Sequence, residues 1–150
     1  MIKGEFLWAI GGKVENKRVV GDTSVYSIKS NEWYSSENEQ LAPMIHPVQG
    51  AGWTYLEDKI YCFGGKIKSH SGCCDYIQVY HITEDSWELY DPMPEPPSKQ
   101  GKFYPVIDNH YVYLFGGDSP FQYHPIIRVG CIIPQEIRGM NPSKTLMKDL

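Results

Sequence analysis

Lys59–Gly65 reads KIYCFGG, and the phrase recurs as EFLWAIGG at Glu5–Gly12 and as HYVYLFGG at His110–Gly117. An apolar, aromatic-rich run of strand length ends each time in two glycines. The doublets Gly11-Gly12, Gly64-Gly65 and Gly116-Gly117 are 53 and then 52 residues apart, a spacing in the range of blade and solenoid repeats. Other markers keep the same phase. Tyr26 to Trp33 and Tyr80 to Trp87 are each seven residues apart, and each tyrosine follows its glycine pair by 14 or 15 positions. Asp22 and Asp75 precede the tyrosines, Pro43-Met44 is echoed by Pro92-Met93, and Gln49-Gly50 by Gln100-Gly101.

Inside a unit the pattern is strand and turn, with no stretch that holds a helical period for ten residues. The second unit divides into GAGWTYLE, KIYCFGG, YIQVYHIT and SWELYD, separated by Glu57-Asp58, a longer polar loop and Thr83-Glu84-Asp85. This predicts a four-stranded antiparallel meander. Alternation along YIQVYHIT puts Ile77, Val79 and His81 on one face and Tyr76, Gln78, Tyr80 and Ile82 on the other. Both faces carry bulk, so the sheet is expected to be packed on both sides.

These markers resemble the kelch repeat, a four-stranded blade of a β-propeller with a double glycine closing its second strand and a tyrosine and tryptophan spaced as here. The resemblance spans roughly residues 5–118 and implies an all-β, partial kelch propeller of consecutive four-stranded antiparallel blades. The blades fall at about 5–38, 49–91 and 100–118, the last incomplete, and 119–150 reads as an irregular C-terminal tail. The first unit opens at what would be its second strand, which leaves roughly nine strands. Gln49 and Gln100 occupy the region where arginine and histidine often precede the first strand of a kelch unit. Propellers typically close with about four to eight blades, so two and a half leave open faces. Ile126, Ile127, Ile132 and Ile133 of the tail are expected to cover the last of them. Self-association through the open faces is the other way to shelter them.

In a meander, the loop after each second strand and the connection to the next unit share one rim. Lys13, Lys17 and Arg18 follow the first double glycine, Lys66, Lys68 and His70 the second, and Gln122, Tyr123 and His124 the third. The chain is otherwise acidic, with a net charge of −4. The expected function is therefore a non-catalytic protein–protein interaction module whose rim takes a protein or peptide partner, an acidic segment being the best electrostatic match. Arg18 is the candidate for bidentate carboxylate contact. Solvated lysines on polar loops, diluted by Glu15 and Asp22, are the plainer account of the same residues.

Other chemistries find less support. The two GGK triplets lack the phosphate-loop spacing, and the net charge gives no pull toward nucleic acid or anionic membrane. His70, Cys73, Cys74 and Asp75 are potential zinc donors without a CxxC pair at finger spacing, so no metal or cofactor is expected. No nucleophile is paired with a base, and no catalytic residue is assigned. Some proteins that resemble this chain are enzymes, namely copper oxidases of the galactose oxidase type and iron-dependent specifier proteins. A remnant of such an enzyme is the alternative reading, although the ExxxDxxxH motif of the latter is absent. CIIPQEIR at Cys131–Arg138, with FGGDSP, resembles the end of kelch-domain substrate receptors for cullin ubiquitin ligases, which implies a ligase-adaptor role. The longest apolar run near the start, Phe6–Ile10, is too short for a signal-peptide core, and the four cysteines read as free thiols, pointing to a cytoplasmic or nuclear protein.

Overall fold

The computed structural model describes residues 2–67, 74–93, 103–108, 111–116 and 130–132. Among them are eleven strands: β1 (Ile2–Lys3), β2 (Phe6–Lys13), β3 (Val19–Ser27), β4 (Glu32–Ser35), β5 (Gly52–Leu56), β6 (Lys59–Phe63), β7 (Ile77–His81), β8 (Ser86–Tyr90), β9 (Phe103–Asp108), β10 (Tyr111–Gly116) and β11 (Gly130–Ile132). They form three antiparallel sheets, ordered β1-β2-β3-β4, β5-β6-β7-β8 and β11-β10-β9. Every neighbour in the first two sheets is also the next strand in the chain, so each is a meander. The tight turns use residues that accept a left-handed backbone, with Asn31 at φ 60°, Asp85 at φ 47° and Glu57 at φ 53°.

The sheets pack face to face in chain order, and the middle one is buried on both sides. Ile60 and Tyr80 point toward Trp8 and Val25 of the first sheet, with Trp53, Tyr55, Ile82 and Trp87 packed around them. On the opposite face, Tyr61, Phe63, Ile77 and Val79 meet Val112 and Leu114 of the third sheet, joined by Met93. Alternation along β7 thus delivers Ile77 and Val79 to one interface and Tyr80 to the other, as its period of two requires. Ile60, Val79 and Tyr80 are fully buried, and each such side chain contributes roughly 1.5–3 kcal/mol of burial. β5 runs beside β9, which brings the first strands of the second and third sheets together.

The connection Met44–Ala51 explains the first two glycine doublets. The Gly12 N–H donates to the Val48 carbonyl at 2.9 Å, and Gln49 exchanges backbone hydrogen bonds with Lys66 at 3.0 and 2.8 Å. One strip of chain is therefore bonded to the sheet on either side of it. Gly11, at φ +60°, interrupts the β2–β3 register, and a Cβ there would lie 2.7 Å from the Val48 carbonyl oxygen. Gly65, at φ +104°, would bring a Cβ to 3.1 Å from both Ala51 and Val48. Positive φ and close backbone approach coincide at both sites, and only glycine meets both demands. The Pro-Met echo is structural as well: the Met44 N–H donates to Gly21 at 2.8 Å and the Met93 N–H to Asp75 at 2.9 Å.

Two strands differ from the sequence reading. The first unit does not open at its second strand, because Ile2–Lys3 pairs with Phe6–Leu7 as a two-residue first strand. A pair this short leaves no alternation in the sequence to detect. Within the segment read as irregular, Gly130–Ile132 pairs with Val112–Leu114, giving the third sheet a third strand. Ile132 thus lengthens that sheet along its edge, while Ile126, Ile127 and Ile133 lie outside the described residues. On the far face of the same sheet, Tyr104 is 75% and Val106 52% exposed.

Candidate partner-binding rim

Lys13 ends β2, and the chain reverses at once through Val14–Arg18. The Val14 N–H donates to the Arg18 carbonyl at 3.0 Å and the Lys17 N–H to the Val14 carbonyl at 2.9 Å. Lys17 takes the left-handed position, φ 63°, of this short hairpin loop. The Asn16 carboxamide oxygen accepts the Arg18 N–H at 3.0 Å. The loop is thereby fixed by its own backbone, and the side chains of Lys13, Lys17 and Arg18 are left exposed. Lys66 follows the second double glycine as Lys13 follows the first, and is half-buried beside Gln49.

The connecting strip joins these two positions. Gly12 is bonded to Val48 and the next residue, Gln49, to Lys66, so the loop that carries Lys13, Lys17 and Arg18, with the exposed Glu15 among them, shares one rim with Lys66. Among the described residues none of these four cations forms an ion pair with a carboxylate. Lys68, His70, Gln122, Tyr123 and His124, the other rim residues suggested by the sequence, lie outside the described residues, as does Gly117.

On the opposite rim, where the β3–β4 turn carries Lys29, the turns of the second sheet are acidic. They carry Glu57, Asp58, Glu84 and Asp85, and are braced by the Ile82 N–H on the Asp58 carbonyl at 3.1 Å and by the Thr83 hydroxyl on the Asp58 carboxylate. His81 lies 3.0 Å from Glu88 and 3.6 Å from Glu84. Both turns were visible in the sequence as strand separators. Their shared rim becomes apparent only once the meander is laid out.

The tyrosine and tryptophan markers repeat their geometry as well as their spacing. Tyr26 and Trp33 have ring centroids 5.2 Å apart, and Tyr80 and Trp87 are 5.1 Å apart. Each tyrosine hydroxyl donates to the left-handed residue five positions on, Tyr26 to Asn31 and Tyr80 to Asp85, the latter at 2.6 Å. Asp85 also accepts the Ala42 N–H at 2.8 Å, which ties the turn of the second sheet to the end of the first. The Trp87 indole N–H is directed at both Thr23 Oγ1 and the Ala42 carbonyl, each at 3.1 Å. Burial, then the hydrogen bond to Asp85 and its negative charge, push the Tyr80 phenol well above the ordinary tyrosine range. These residues are architectural.

Sequence reasoning gave no role to Gln78. Its side chain is fully buried, accepts the His46 N–H at 2.8 Å and donates to the His46 carbonyl at 3.0 Å. The His46 ring stacks on Tyr76 at 4.7 Å. A polar residue amid the apolar run of β7 was the available signal. Nearby, burial and then the neighbouring Cys74 push the Cys62 thiol well above its usual range, and both are free thiols. Among the described residues no three His, Cys, Asp or Glu side chains converge to hold a metal ion; His70 and Cys73 lie outside them. No helix among the described residues is long and apolar enough to cross a membrane.

Residues 49–94 match the family described as "Kelch motif". The second sheet matches the kelch motif. The match covers β5 through β8, beginning at the Gln49 that pairs with Lys66 and ending one residue past Met93. Kelch-like protein 7 of Rattus norvegicus is 30% identical over 77 residues, covering 51% of this chain and 12% of the relative, and that of Mus musculus matches equally. Beta-scruin of Limulus polyphemus is 25% identical over 123 residues, 79% of this chain and 13% of the relative. The chain thus spans about one-eighth of the length of these relatives. The first sheet, outside that match, reproduces the glycine pair and the Tyr–Trp geometry of the second, with a tyrosine hydroxyl again bonded to the left-handed turn residue.

Proposed function

We propose that the chain is a non-catalytic interaction module of propeller type whose rim of Lys13, Lys17, Arg18 and Lys66 receives an acidic segment of a protein partner. The observation that carries this reading is the strip Val48–Gln49, which is bonded to Gly12 on one side and Lys66 on the other. It fixes the roots of cations from two repeats side by side, and carboxylates within the chain do not neutralise them among the described residues. A loop backbone already ordered spares a partner the cost of ordering it, and its Lys and Arg side chains can then form charge-assisted hydrogen bonds. The resemblance to kelch-domain substrate receptors makes a ubiquitin-ligase adaptor the natural setting, with the partner a protein awaiting modification. A cytoplasmic or nuclear location suits that role.

Fluorescence anisotropy with labelled Glu-rich and Lys-rich peptides of equal length tests the reading. The acidic peptide is expected to bind, with affinity falling as salt rises. Replacing Lys13, Lys17 and Arg18 together by Glu is expected to abolish that binding. Binding that is insensitive to salt, or that survives the triple charge reversal, would refute it.

A further inference from the structure

The repeat provides an internal standard for its own end faces. In the second sheet, Tyr80 and Ile82 of the face toward the first sheet pack against Trp8 and Val25, with Trp87 beside them. Their counterparts in the first sheet, within one position of the same distance from the double glycine, are Tyr26, Ile28 and Trp33. Ile28 is 55% and Trp33 53% exposed, although Tyr26 and Trp33 hold the same mutual geometry as the buried pair. The first sheet therefore presents a finished half of a repeat interface.

The other half is exposed at the opposite end. Tyr61 and Phe63 of the second sheet face the third sheet, and their counterparts one period later are Tyr113 and Phe115. Val106 pairs with Tyr113 and Tyr104 with Phe115, so these four share a face. Tyr104, Val106 and Phe115 are all exposed. One chain thus carries both complementary surfaces of a single kind of contact, at opposite ends, with nothing described between them and solvent.

We propose that two copies of this chain associate head to tail, the Ile28 and Trp33 face of each packing on the Tyr104 and Val106 face of the other, to close a ring. The inference does not depend on the basic rim. A contact between unlike faces forms a closed ring when the rotation per unit returns to its start, and an open filament when it does not. The three sheets among the described residues make six in a pair of copies, inside the range of about four to eight at which propellers close. Closure removes both apolar end faces at once, which an open chain of copies never does.

Sedimentation velocity of the full chain over a dilution series, with the variants Ile28→Glu and Val106→Glu, tests this. Both positions are more than half exposed, so circular dichroism is expected to report an unchanged fold. The wild type is expected at twice the chain mass, and each variant at the single-chain mass. An equimolar mixture of the two variants retains one intact contact and is expected to recover a two-chain species. A monomeric wild type, a ladder of higher species, or either variant remaining dimeric by itself would overturn the proposal; in the last case like faces would be meeting like.

Discussion

Replacing Gln78 by Met keeps the volume of the side chain and removes both of its hydrogen bonds to His46. Those bonds, 2.8 Å from the His46 N–H and 3.0 Å to its carbonyl, are the described side-chain link between β7 and the strip that connects the first two sheets. A buried backbone group left without a partner costs roughly 1–3 kcal/mol. His46 is half-buried rather than fully buried, so water restores part of the loss, and the expected destabilisation is about 2–4 kcal/mol for the two groups together. At about 2–4 °C per kcal/mol for a chain of this size, the melting temperature should fall by roughly 4–16 °C. Urea denaturation monitored by tryptophan fluorescence, with wild type and variant at one protein concentration, measures the change directly. The slope with denaturant should be unchanged while the midpoint drops. A loss below about 0.5 kcal/mol would show that the carboxamide merely fills space, since neutral replacement is the expected outcome only where the bonded groups are equally well served by water.

Gly65→Ala should destabilise by about 2–4 kcal/mol in the same assay, because a Cβ at φ +104° meets Ala51, Val48 and the Gln49 carbonyl at 3.1–3.2 Å; a change under about 0.5 kcal/mol would mean the strip is loosely packed there. The raised Tyr80 phenol makes the folded state hold its proton where the unfolded chain, with an ordinary value near about 10, gives it up. Stability from Tyr80 is therefore full below pH ~10 and lost as pH rises beyond it. Tyr80→Phe should flatten the alkaline fall, and an unchanged slope would count against the buried hydrogen bond. Cys62, buried and held as the thiol, should resist iodoacetamide in the native state and react at the rate of global unfolding; prompt native labelling, located by mass spectrometry, would contradict its burial.

Much of the fold was legible because its markers are local. A double glycine signals positive φ, Tyr and Trp seven residues apart on neighbouring strands meet by pairing, and period-two alternation along β7 assigns Ile77, Val79 and Tyr80 to their faces. Interactions across the sheets were not legible. Gln78 and His46 are 32 residues apart, and nothing in either neighbourhood announces the other. Asp85 read as a turn residue, yet it also caps Tyr80 and holds Ala42. β1 escaped because two residues carry no period, and β11 because its pairing with β10 spans a proline-containing segment that breaks strand patterning. For the rim, the sequence located Lys13, Lys17, Arg18 and Lys66 on loops; it was the backbone pairing of Val48 and Gln49 that related one loop to the next.

The repeated markers form successive sheets packed face on face. Nuclear Overhauser contacts between side chains of different repeats test this packing most directly. Cross-peaks are expected from the Trp8 ring to Tyr80, whose centroids are 5.5 Å apart, and from the Val112 and Leu114 methyls to the cluster of Tyr61, Phe63 and Val79. Strand pairing within each repeat without either set of contacts would contradict it.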